Sequence, residues 1–246
     1  MSYFHSNLLT INESKSNLVN FCSRSDGNAV ELRVNTTELN SVASTKFLGV
    51  VIDSKLNWHD HVSYLRSKVN SVNFSQRILA RSINRERLLT AYFAYFHSLL
   101  SYGIPFWGCQ KQNLDAIFVA QKQCIRIMAN KVPGTHCKPL FAELGIMPVP
   151  CVYIYRCVLL VKSMSGSITL NSDVHNYNTR RRNDFSVPRP ATSVSHRGPI
   201  PSGIRMYNAL PAEMKSESEP KKFKSLLKSF LLGKLFYCVD ELYSGP

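Results

Sequence analysis

A chain of 246 residues with 44% apolar content is large enough to bury a core as one large domain or two small ones. Its 30 Lys and Arg against 16 Asp and Glu leave a net charge of +14, which draws polyanions to the surface. Seven scattered cysteines with no C-x-x-C pair exclude a disulfide scaffold, and the N-terminus lacks the basic segment and apolar core of a secretory signal. A reducing intracellular compartment, nucleus or cytoplasm, is therefore expected, with no export.

The first fifty residues read as extended structure. Leu18 to Cys22 is a short β-prone run, and Asp26-Gly27-Asn28 is a turn signal. Val30, Leu32 and Val34 alternate with Glu31 and Arg33 as in a half-buried strand, and the link Asn35-Thr36 predicts a hairpin onto Thr37 to Leu39. Phe47 to Ile52 is expected as the last strand, with Gly49 marking a bulge or close backbone approach.

From Trp58 the period changes to that of a helix. Val62, Leu65, Val69, Val72 and Leu79 form one stripe, with Arg66, Lys68 and Arg77 lying mostly off it, so a helix is predicted from Trp58 to Ser82 with Asn57 as its cap. A second begins at Asn84 and stops near Gly103, and Pro105 is expected to take Tyr102 to Gly108 out of helix. Further helices are predicted over Leu114 to Asn130 and Val152 to Ser163. The apolar run Val149 to Val161 contains Arg156 and is too short to span a bilayer, so it reads as a buried helix, and no membrane partner is expected. Beyond Gly166, Ser, Asn, Arg and Pro accumulate, predicting a linker or arm, before an amphipathic helix over Lys221 to Leu235.

Several segments occur in an order that carries a resemblance. These are LTINESKSNLVNF (Leu9 to Phe21), KFLGVVIDSKLNWHDHV (Lys46 to Val62), YGIPFWG (Tyr102 to Gly108), QKQCIRIM (Gln121 to Met128), HCKPLFAELGIMPV (His136 to Val149), YNTR (Tyr177 to Arg180) and YNALP (Tyr207 to Pro211). Together they resemble the end of the palm, the thumb and the tail of reverse transcriptases from jockey-type, LINE-like non-LTR retrotransposons. The resemblance implies a fold that is α+β and mainly α: a small antiparallel β element left from the palm, then a thumb-like helical bundle, a Pro/Arg-rich tail and a terminal helix. The implied segments are 1–54 for the palm end with its primer-grip-like strand, 55–165 for the thumb, 166–220 for the linker or arm and 221–246 for the last helix.

The same resemblance implies that the catalytic carboxylates, an early palm aspartate and an adjacent Asp-Asp pair, lie upstream of Met1. They would hold the two magnesium ions of nucleotidyl transfer. This chain has no adjacent Asp-Asp, so no cofactor is expected in it and polymerisation is not expected of it alone. Lys15 matches the late-palm lysine but has no metal-binding partners. Phe47, Leu48 and Gly49 match the primer grip; the plain alternative is an edge strand. Asp53 is read as a turn or cap residue and His61 as a structural residue against the strand end, not as metal ligands. His136, Cys137, Cys151, Cys157 and His175 do not fit zinc spacing. Cys109 and Cys124 have no base near them in sequence.

The expected partner is RNA or an RNA–DNA hybrid, held through phosphate and sugar by Arg66, Lys68 and Arg77, with Arg81, Arg85 and Arg87 close by. The missing polymerase portion is the other expected partner. Arg180, Arg181 and Arg182, with Arg189, Arg197 and Arg205 and the rings of Tyr177, Phe185 and His196, are expected as a flexible RNA-contacting arm; a nuclear import signal is the competing reading. Two alternatives stand beside this one: a non-enzymatic basic helical module that docks proteins, and a truncated gene model of an active polymerase.

Overall fold

The computed structural model describes residues 2–21, 31–34, 37–174, 180–189 and 192–244. The Asp26 turn signal, Cys22, Val30, the Asn35-Thr36 link, His175 and Tyr177 lie outside them. The described chain is mainly helical with a small β part. It divides into two compact units, Met1–His61 and Val62–Pro246.

The N-terminal unit holds a short helix α1 (Ser2–Ser6), a 3-10 turn at Glu13–Lys15, and six strands: β1 (Asn17–Leu18), β2 (Arg33–Val34), β3 (Thr37–Glu38), β4 (Asn40–Ser41), β5 (Ser44–Phe47) and β6 (Val50–Asp53). Strands β2 and β3 pair antiparallel, as the alternation predicts, while β1 and β4 pair in parallel. The stretch from Phe47 to Ile52 is a hairpin and not one strand. β5 pairs antiparallel with β6, and Leu48 (φ 46°) and Gly49 (φ 85°) form the two-residue turn between them. Two successive positive φ values match the twist of a tight hairpin. Glycine adopts one at little cost, whereas leucine gave no sequence signal for the other.

After β6 the carboxylate of Asp53 accepts the backbone N–H groups of Lys55 (3.1 Å), Asn57 (3.0 Å) and Trp58 (2.6 Å). This turn holds Leu56 and Trp58 at positive φ, and α2 (His59–Leu79) follows with Asn57 Oδ1 accepting from the His59 N–H. The turn role of Asp53 is thus as expected, while Asn57, expected as the cap, stands one residue before the cap position and accepts the first helical N–H. His61 is buried, and its Nδ1 accepts the Val51 N–H at 3.4 Å, which is the structural role expected of it.

In the C-terminal unit, α2 turns Val62, Leu65, Val69, Asn73 and Gln76 inward, so the stripe runs through two polar residues instead of Val72 and Leu79. Asn73 is accommodated by donating to the Ala120 carbonyl at 3.0 Å. Asn84 caps α3 (Arg85–Ala91) by accepting the Arg87 N–H, and a π-helical turn (Tyr92–His97) links it to α4 (Ser98–Ser101). Pro105 does not break the chain out of helix. It sits in the first turn of α5 (Ile104–Trp107), where a missing N–H leaves no hydrogen bond unmade.

Helices α6 (Lys111–Met128), α7 (Lys138–Leu144) and α8 (Val149–Ser163) build the core, of which α7 has no counterpart in the expected elements. Trp107, Phe141, Ile146, Ile154, Tyr92 and Phe96 are fully buried there. Each such side chain contributes about 1.5–3 kcal/mol of burial. Gln121, wholly buried, donates to Tyr92 Oη and the Met147 carbonyl and accepts from the Val149 N–H, all within 2.9 Å, so it joins α6 to the start of α8 with its polar atoms met.

The largest correction concerns residues 166–220. After α9 (Asn171–Val174) and α10 (Ser193–His196), α11 (Pro199–Asn208) packs on α8 and buries Pro201, Ile204, Met206 and Tyr207. Gly203 permits the approach, because a Cβ there would lie 2.7 Å from Val161 Cγ2 and 2.8 Å from the Cys157 carbonyl oxygen. Pro199 and Pro201 begin a helix instead of preventing one, so the expected linker over-read its composition there. Helix α12 (Ala212–Lys215) leads to α13 (Pro220–Lys234), which buries Phe223, Leu227 and Leu231, close to the predicted terminal helix.

Candidate nucleic-acid interface

The charge of the chain is divided unevenly between its two units. Met1–His61 carries 5 Lys and Arg against 6 Asp and Glu, whereas Val62–Pro246 carries 25 against 10, a net of +15. Among the described residues three ion pairs form: Arg85–Glu143 (2.7 Å), Lys215–Asp184 (2.8 Å) and Lys222–Glu219 (3.0 Å). Most cations of the helical unit therefore face solvent uncompensated, and such a surface attracts phosphodiesters.

Arg66, Lys68 and Arg77 are exposed on α2 because the inward register at 62, 65, 69, 73 and 76 turns them out. The Lys68 ammonium sits 5.6 Å from the Tyr64 ring centroid. At the C-terminal end of α2, Arg77 joins Arg126 and Lys131 around a cleft of about 400 Å³ whose lining contains no carboxylate. Arg126 Nε donates to the Thr135 carbonyl at 2.9 Å, which orients its guanidinium. The loop carrying Lys131 is folded back by the hydrogen bond from the Lys131 N–H to the Arg126 carbonyl. Sequence reasoning identified Arg77 but missed Arg126 and Lys131. The signal was the arginine inside QKQCIRIM, which helical periodicity places at the edge of the buried face of α6.

Arg85 is partly structural: it grips the Glu143 side chain and, at 3.3 Å, the Glu143 carbonyl. Half exposed, that pair adds at most about 1 kcal/mol.

A second basic region gathers the C-terminal arginines. The segment 180–189 is anchored: Asn171 Nδ2 donates to the Arg181 carbonyl, and the Asn208 side chain exchanges hydrogen bonds with the N–H and carbonyl of Phe185 at 3.1 and 2.8 Å. Phe185 is buried against Tyr207 and so cannot stack on a base. Arg180, Arg181 and Arg182 are exposed. Arg181, Arg189, His196 and Arg205 line one groove of about 960 Å³. Arg197 faces a different cavity, of about 250 Å³.

In the N-terminal unit, Phe47 and Leu48 stand 61% and 76% exposed at the tip of the β5–β6 hairpin with Gly49. Lys15 is exposed at the end of the 3-10 turn, its N–H bound by Asn12 Oδ1. No group of three or more His, Cys, Asp and Glu among the described residues is placed to hold a metal ion. The isolated carboxylates of the described residues do not fit a two-magnesium site.

The shifted titrating groups mark packing. Burial pushes the thiols of Cys124, Cys151 and Cys157 up to about 12, so they are neutral at physiological pH and poor nucleophiles. Burial, then the charges of Arg156 and Lys228, hold His97 down to about 4. No helix is long and apolar enough to cross a membrane among the described residues. No protein-family model, curated protein or solved structure matches the chain.

Proposed function

We propose that this chain is a nucleic-acid-binding C-terminal portion of a non-LTR retrotransposon reverse transcriptase, without polymerase activity of its own. Its helical unit holds RNA or an RNA–DNA hybrid through phosphate and sugar. The observation that carries the binding part is the net +15 of the helical unit, together with the convergence of Arg77, Arg126 and Lys131 on a cleft free of carboxylates. The family part rests on the ordered motifs alone. Such contacts read the backbone and not the bases, so binding is sequence-tolerant and falls steeply with salt. The absence of an adjacent Asp-Asp in the sequence supports the non-catalytic part. An intracellular location in nucleus or cytoplasm accords with the same reading.

The test is binding of a fluorescent single-stranded RNA and an RNA–DNA hybrid from 50 to 300 mM salt. Affinity is expected to fall log-linearly, and the triple variant Arg77→Gln, Arg126→Gln, Lys131→Gln is expected to reduce the slope on single-stranded RNA by about 2, at ~0.7 per lost phosphate contact. Absence of binding at 50 mM salt sinks the nucleic-acid reading in favour of a protein-docking module. Primer extension with magnesium by the purified chain would overturn the non-catalytic part.

A further inference from the structure

The groove that holds Arg181, Arg189, His196 and Arg205 differs from an ordinary basic surface in how its charges are arranged. Arg205 is fixed from one side: its Nη2 donates to the His196 carbonyl at 3.0 Å and to Ser202 Oγ at 3.2 Å. Its Nη1 is closed off from solvent and has no acceptor among the described residues. The clamp holds a fixed positive charge on the groove wall beside Arg181 and Arg189. Asp184 is the carboxylate in the groove lining, and it is engaged at 2.8 Å by Lys215. Arg181 and Arg189 therefore add their charge without local compensation.

The groove is also built rather than loose. Its two sides are tied by the reciprocal Asn208–Phe185 bonds and by the Ser186 N–H donating to the Thr169 carbonyl at 2.9 Å. Its volume of about 960 Å³ lies at the upper end of the range for small-ligand sites and exceeds what a bare ion needs. Phosphodiester tracking along a surface spaces its cations along the strand, whereas three arginines gathered on one groove match a terminal phosphate, which carries up to two charges and three free oxygens.

We infer that this groove binds a phosphomonoester, with Arg181, Arg189 and Arg205 as its ligands. The group arrives either at the 5′ end of a nucleic-acid strand or on a free nucleotide. The site does not depend on the retrotransposon reading, nor on the cleft at Arg77.

The experiment compares a 5′-phosphorylated RNA 12-mer with its 5′-hydroxyl twin on the full chain at 0.15 M salt, with inorganic phosphate and adenosine monophosphate as competitors. The phosphorylated strand is expected to bind about tenfold more tightly, and Arg181→Gln and Arg189→Gln, both exposed and peripheral to the fold, are expected to abolish the difference between the two strands. Competition by adenosine monophosphate assigns the site to free nucleotides as well; competition by neither small molecule, with discrimination intact, assigns it to strand ends. Equal binding of both strands, with no displacement by either competitor, overturns the inference. In that case a persisting salt-dependent affinity for the 5′-hydroxyl strand would still support the proposed function, so the two readings fail separately. Arg205→Lys, checked by circular dichroism for folding, keeps the charge but loses the fork and is expected to lower discrimination severalfold.

Discussion

The two units of this chain are held together by different means. Among the described residues of Met1–His61 no apolar side chain is fully buried; the buried residues there are Asp53 and His61, both of them hydrogen-bonded to backbone. In Val62–Pro246 the buried residues are overwhelmingly apolar, and a surface with a net +15 surrounds them. The N-terminal unit is near neutral and organised by polar contacts around turns. A helical core of this size tolerates the self-repulsion of its surface, because burial of many side chains outweighs weak, screened charge contacts. Two-stranded hairpins have no such reserve and are marginal by themselves.

The contrast is most severely tested in the core. Trp107→Ala removes a fully buried ring whose Nε1 donates to the Tyr102 carbonyl, and is expected to cost about 3–5 kcal/mol in guanidinium unfolding followed by far-ultraviolet circular dichroism. A loss below 1 kcal/mol would show that the helical unit is not the cooperative core described here.

Acid titration tests the same unit next. His97, with Tyr92 and Phe93 around its ring and Arg156 and Lys228 acting on it, resists protonation down to about 4, whereas the unfolded chain takes up that proton near 6.5. The unfolded state therefore binds more protons within that window. The stability contributed by neutral His97 is complete above pH 6.5 and is lost as pH falls through 4, amounting to about 3 kcal/mol. His61 is shifted downward by burial and adds loss of the same sign. The His97→Gln variant should flatten the pH profile between 6.5 and 4; an unchanged profile would refute the assignment.

The smallest effect belongs to the N-terminal unit. Asp53→Ala removes the acceptor of three backbone N–H groups, with an expected cost of about 1–2 kcal/mol. The loss should be local, read as faster hydrogen exchange at Lys55, Asn57 and Trp58 while the melting of the helical unit hardly moves. A matching drop in the melting temperature of the helical unit would erase the distinction between the two regions.

Much of this was readable in advance where one residue's local chemistry sufficed. Asp53 as a turn acceptor, a helix beginning at Asn84 and the long helices at α2, α6 and α8 follow from turn chemistry and periodicity. Reading failed where a residue's usual meaning was overridden. Leu48 is not a turn-former, yet the pairing of β5 with β6 places it in one. Asn73 and Gln76 do not signal a buried face, yet they occupy one, and Asn73 does so through a bond to a helix distant in sequence. Pro199 and Pro201 signal an arm, yet they open a helix whose close approach at Gly203 seats it on α8.

The candidate site divides along the same line. Composition alone establishes that the chain is basic and that the excess begins after His61, since charge is a property each residue carries with it. Which cations converge is not such a property. Arg77 meets Arg126 and Lys131, and Arg181 meets Arg189 and Arg205, through helix packing that closes distances between segments far apart along the chain. Local sequence dictates helix starts, turns and net charge because those depend on neighbours within a few residues. The pairing of α11 with α8, and with it the arginine groove, depends on shape matching across some forty residues, which no local pattern encodes.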